Sequence, residues 1–124
     1  MMALIYRMVF CGFAAFFLTI SMNADAAGGS QTGLSIKKIR VVGDYQGEMY
    51  DNSIELWVSP NLSLPSHLKC TSPTIVYIDA KNKHLIAAAY LAFSMGKKID
   101  IYVDDVLPIR GMSCEVSYLD ISDQ

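Results

Sequence analysis

The sequence predicts a mainly β domain with one helix, in the order β-β-β-α-β-β. Five short segments alternate apolar and polar residues or are rich in β-branched ones, the period of a half-buried strand. A single alanine-rich segment lies between the third and fourth of them. No strand–helix–strand unit repeats, so an all-parallel sheet is not expected. At 124 residues the chain suits one domain.

The elements follow in order. Met1 to Arg7 carries one positive charge, Met8 to Ile20 is almost wholly apolar, and Ala24-Asp25-Ala26 offers small residues at a cleavage point. This is the pattern of a secretory signal peptide, residues 1–26. The apolar run is shorter than the roughly 20 residues of a spanning helix, so no stable membrane anchor is expected. Cys11 follows Phe10, not the small residue of a lipid-attachment site, and leaves with the leader. Residues 27–33, AGGSQTG, read as a flexible start. The domain then runs over 34–124.

Leu34 to Val42 is the first strand; its alternation slips between Ile36 and Ile39, as at a bulge. Gly43-Asp44 marks a turn. Ser53 to Ser59 points Ile54, Leu56 and Val58 one way and Glu55 and Trp57 the other. Pro60 ends it, and residues 61–73 form a loop. Thr74 to Asp79 is the third strand. His84 to Met95 is the helix, with Asn82 as N-cap, Gly96 just past its end, and Lys97-Lys98 suited to its negative pole. Lys98 to Val103 turns Ile99, Ile101 and Val103 inward. Cys114 to Ile121 is the last strand, with Cys114, Val116 and Tyr118 on one face. Five strands with one helix between the third and fourth is the order of the OB-fold, a small barrel; a helix on an open antiparallel sheet is the alternative architecture.

Charge and cysteine content bound the function. Ten Lys+Arg against 12 Asp+Glu give a net charge of −2. That balance argues against a nucleic-acid partner. Cys70 and Cys114 remain after the leader, and two cysteines in an exported chain read as one disulfide, placing the protein outside the cell or in the periplasm. Closing a loop of that size contributes about 4 kcal/mol in the chain-entropy model. The alternative for Cys70 is a metal site with His67, but no second ligand pair follows.

Motifs for catalysis are missing: no C-x-x-C, G-x-S-x-G, H-E-x-x-H or phosphate-cradling glycine loop. The expectation is a binding protein with no cofactor and no metal, not an enzyme. Asp104-Asp105 reads as a solvated turn, not a calcium loop. Asn61-Leu62-Ser63 matches a glycosylation sequon, which matters only in a eukaryotic secretory route. The candidate ligand residues are Trp57, Tyr77, Asp79, Asp100 and Tyr102, on the minority faces of three strands. Aromatic rings stack on sugar C–H groups and carboxylates accept from hydroxyls.

On a helical wheel Leu85, Ile86, Ala89, Tyr90, Ala92 and Phe93 form the arc expected to face the core. The other side holds Ala88, Leu91 and Met95 and no charge between His84 and Met95. A helix that is apolar all round is normally buried all round, so these three residues are the candidate subunit interface of a homo-oligomer.

The helix Lys83-His84-Leu85-Ile86-Ala87-Ala88-Ala89-Tyr90-Leu91-Ala92 and the strand Gly96-Lys97-Lys98-Ile99-Asp100-Ile101-Tyr102-Val103 also carry a likeness, closed by Cys114-Glu115-Val116-Ser117-Tyr118. With a cysteine ahead of the third strand, this outline resembles the B subunits of bacterial A–B toxins, in their cholera-like and subtilase-cytotoxin-like groups. It is also similar to small exported bacterial proteins without a toxin partner. The resemblance implies a ring-forming, glycan-binding domain. It carries no sugar-contacting residue over to a position here. The expectation is therefore an exported oligomer that binds a glycan or a protein surface. The alternative is a monomeric periplasmic inhibitor or accessory protein acting through its loops.

Overall fold

The structure is a computed structural model and describes residues 28–45, 47 and 50–123. The expected signal peptide, its cleavage point and Cys11 lie outside the described residues. The elements are β1 (Gly28–Val41), β2 (Ile54–Ser59), β3 (Ile75–Ile78), α1 (Lys83–Met95), β4 (Lys98–Asp104) and β5 (Cys114–Ser122). The strands close into a barrel in the order β1-β2-β3-β5-β4. Every neighbouring pair is antiparallel except β3 with β5, which is parallel. The protein is a small OB-like barrel with one helix.

Alternation sets the core. Ile54, Leu56 and Val58 of β2, Val76 and Ile78 of β3, and Ile99, Ile101 and Val103 of β4 fill the interior with Leu34 and Ile36 of β1. Leu62 and Leu68, from the loop between β2 and β3, join them. The slip expected in β1 is a real bulge. Ile36 pairs with Val58 and Lys38 with Trp57, which leaves Lys37 as the extra residue.

Three sequence expectations change. First, residues 28–33 are not a flexible start. Gly28 to Gln31 pair with Asp104 to Ile101 of β4. Their glycines are required by contact rather than by freedom. A Cβ on Gly28 would lie 2.3 Å from the Tyr102 hydroxyl, and one on Gly29 would lie 2.9 Å from Pro65. Gly33 adopts φ +66 at a second irregularity, and its N–H donates to Asp100 Oδ1 at 2.7 Å. Second, Tyr118 points outward. Tyr102 pairs with Tyr118 but Val103 pairs with Val116, so Ser117 is an extra residue that reverses the alternation. Leu119 turns inward in its place and packs against the core.

Third, the helix buries a narrower stripe than its wheel suggests. Only Leu85, Ala89 and Ala92 are buried, at spacings of four and three. Ile86 is partly buried, whereas Tyr90 and Phe93 are 40% and 47% exposed. The helix rests on β5 and β1, so one stripe meets the barrel and the flanks do not. Asn82 precedes the helix, but its side chain makes no capping bond. Its Nδ2 donates to Glu115 Oε1 instead, at 3.3 Å. Gly96, at φ 63, ends the helix. Its N–H donates to the Phe93 carbonyl, and the Lys97 N–H donates to Ala92.

Cys70 and Cys114 form a disulfide with their Cα atoms 5.1 Å apart. It ties the long loop after β2 to the first residue of β5. This pairing removes Cys70 as a metal ligand beside His67.

Candidate ligand site between the first and last loops

In an OB barrel the loops after the first and fourth strands flank the outer face of the second and third, where polymeric ligands bind. Here these are residues 42–53 and 105–113. The first loop is held by its own bonds. Val42 N–H donates to the Ser53 carbonyl, Asn52 N–H to Gly43, and Tyr45 N–H to Asp51 Oδ1 at 2.7 Å. This places Tyr45 and Tyr50 edge to face, with ring centroids 6.2 Å apart. Beside them a cavity of about 460 Å³ is lined by Arg40, Val42, Asp44, Tyr45, Tyr50 and Glu55. Arg40 Nη1 and Glu55 Oε2 pair at 2.9 Å across β1 and β2. The cavity thus joins two aromatic rings to a donor fork and a carboxylate.

Trp57 extends this face along β2. Lys38 Nζ stands 4.3 Å from its ring centroid and the Arg40 guanidinium 4.8 Å. The cations come from β1, where Lys38 is the register partner of Trp57 and Arg40 of Glu55.

The last loop covers the neighbouring part of the outer face. Tyr77 and Glu115 are register partners on β3 and β5. They point outward, yet they are 1% and 0% exposed. The Arg110 guanidinium lies 4.5 Å from the Tyr77 ring and 5.6 Å from the Tyr50 ring, which links the two loops. Arg110 Nη2 donates to Asp79 Oδ2 at 2.6 Å. Its Nε and Nη1 are buried with no hydrogen-bond partner among the described residues. The aromatic faces are their compensation. Tyr77 Oη donates to the Pro108 carbonyl and also lies 3.1 Å from Glu115 Oε2. Burial, then the charge of Glu115 and its hydrogen bond, push the Tyr77 phenol far above its ordinary range, with Arg110 opposing.

The five candidate ligand residues do not form one site. Trp57 lies on the open face. Tyr77 and Asp79 are taken up by the contacts of the last loop. Asp100 braces the bulge at Gly33. Tyr102 stacks on Tyr118, with centroids 5.5 Å apart, against the Gly28 backbone. Tyr102 pairs with Ser30 and Trp57 with Lys38, about 25 Å apart along an extended strand. The residues missed from sequence are Arg40, Tyr45, Tyr50 and Arg110. The OB order itself was the available signal, since it points to the loop holding both tyrosines.

Among the described residues no group of three or more His, Cys, Asp or Glu is placed to hold a metal ion. Nor is any helix among them long and apolar enough to cross a membrane. The chain matches no protein-family model, and no curated protein matches it significantly.

Proposed function

We propose that this is an exported binding protein that recognises a glycan as an oligomer, in the manner of toxin B subunits. The cavity at the first loop carries this reading. Tyr45 and Tyr50 offer aromatic rings for sugar C–H groups to stack on, and Arg40 and Glu55 supply a donor and an acceptor for hydroxyls. The helix supports the oligomer. Leu91 and Met95 are 51% and 57% exposed, beside Tyr90 and Phe93. Ala88, the third residue of the expected interface, lies half-buried on the same helix. Such a patch on a small domain favours a partner surface. The disulfide favours an oxidising compartment, secreted or periplasmic.

A second reading has its own observation. Val106 and Met112 of the last loop and Val41 beside the first are 76%, 66% and 67% exposed. Apolar loop tips of this kind suit a monomeric inhibitor or accessory protein that docks on another protein. Mass and ligand separate the two. The first reading expects light scattering of residues 27–124 to give a multiple of the chain mass, and a glycan array to give signals that Tyr50→Ala removes. A monomer that binds no glycan overturns it.

A further inference from the structure

We infer that the face formed by Lys37, Lys38, Arg40 and Trp57 binds the sulfate groups of a sulfated polysaccharide, an inference that rests on the glycan reading above. The chain as a whole is acidic, with a net charge of −2. Yet three cations stand within four consecutive residues of β1, all exposed. The bulge is the cause. As the extra residue, Lys37 shares with Lys38 the register position opposite Trp57. Lys38 therefore stands over the indole with Lys37 next to it in the chain, and Arg40 closes on the same ring from the next outward position.

Like charges gathered on one ring repel each other. Glu55, engaged by Arg40, is the one acid paired with this group among the described residues. Lys37 and Lys38 have no ion-pair partner among them. The face carries an excess of positive charge that an anion would neutralise, and its geometry selects the kind. A carboxylate is planar and fits a single guanidinium fork, but one arm of the Arg40 fork already holds Glu55. A sulfate ester spreads three free oxygens in three directions. It can accept from Lys38, from Lys37 and from the remaining N–H groups of Arg40 together. Arg40 also lines the cavity with Tyr45 and Tyr50. A ligand whose sulfate sits over Trp57 can therefore place its neighbouring sugar ring in that cavity. A polymer with sulfate on successive sugars satisfies both halves of the surface.

Trp57 is the only tryptophan in the chain, so its fluorescence reports on this face directly. Residues 27–124 should be titrated with chondroitin sulfate, with hyaluronan (which carries carboxylates but no sulfate) and with duplex DNA. Chondroitin sulfate should change the Trp57 emission as the cations leave the ring, and should bind at least about tenfold more tightly than either of the others. Rising salt should weaken it. Lys38→Met should lose that advantage and Lys38→Arg should restore it, both with unchanged circular dichroism. If Lys38→Met fails to fold, Lys37→Met should show the same loss. Equal binding of chondroitin sulfate and hyaluronan, unaltered by Lys38→Met, overturns the inference and leaves the glycan reading standing. Equal binding of DNA overturns it as a mere charge effect. Neutral glycans bound without sulfated ones overturn it alone, whereas no glycan bound at all overturns the glycan reading as well.

Discussion

Tyr77 has one hydroxyl proton and two acceptors, the Pro108 carbonyl and Glu115. It serves as the pin of the last loop, with Arg110 laid across its ring. Its ionisation is the unfavourable event, because a phenolate here would be buried beside a carboxylate. The unfolded chain ionises this phenol near pH 10, and the folded chain only well above that. Its contribution to stability is therefore complete below about pH 10 and is lost as pH rises further. Urea unfolding should show stability falling as pH rises above about 10, and Tyr77→Phe should flatten that slope. At neutral pH the same substitution should cost about 1–3 kcal/mol, since it removes the one donor that buried Glu115 and the Pro108 carbonyl share. A slope unchanged by Tyr77→Phe would assign the alkaline loss to other groups.

At the scale of elements, the helix leaves four large apolar side chains exposed. Leu85, Ala89 and Ala92 anchor it, and Tyr90, Leu91, Phe93 and Met95 face outward. If the proposed oligomer forms through this face, Leu91→Lys should reduce it to single chains in light scattering while leaving the circular dichroism unchanged. An exposed site of this kind costs a monomer no more than about 0.5 kcal/mol. A wild type that is already monomeric at high concentration would move the inhibitor reading ahead. Much of this element was legible in the sequence: alanines set its length and Gly96 its end. The width of its buried stripe was not, because the curvature of the barrel beneath decides which flanks find a contact. The strands divide the same way. Clean alternation in β2 and β4 revealed their inward faces, and the broken alternation of β1 revealed its bulge. Ser117 gave no such sign, because the residues around it alternate in either register. Residues 28–31 read as flexible because glycine disfavours a strand locally, whereas pairing with β4 makes them one and Tyr102 packs where a Cβ of Gly28 would lie. The same limit applied to the site. Tyr77 and Asp79 showed the right chemistry, but only the closed barrel reveals that Arg110, thirty-one residues beyond Asp79, occupies them.

The whole molecule depends on one short seam. The barrel is closed between β3 and β5 by two register pairs, Val76 with Cys114 and Tyr77 with Glu115. The disulfide joins the chain at Cys114, on this seam. Cys70→Ala with Cys114→Ala should lower stability by roughly 2–5 kcal/mol. The thermal midpoint should fall by roughly 4–8 °C for each kcal/mol lost, as scanning calorimetry can check. An unchanged midpoint would show that the seam holds without its covalent link. The seam also decides how the protein meets its own copies. A closed ring has no free strand edges. Once opened there, the barrel becomes a curved sheet bounded by β3 and β5, with Ile75, Val76 and Ile78 along one border. Unpaired borders of that composition template strand addition. The intact Cys70–Cys114 bond then protects the protein against aggregation as much as against unfolding, and a reduced preparation should be lost first to precipitation.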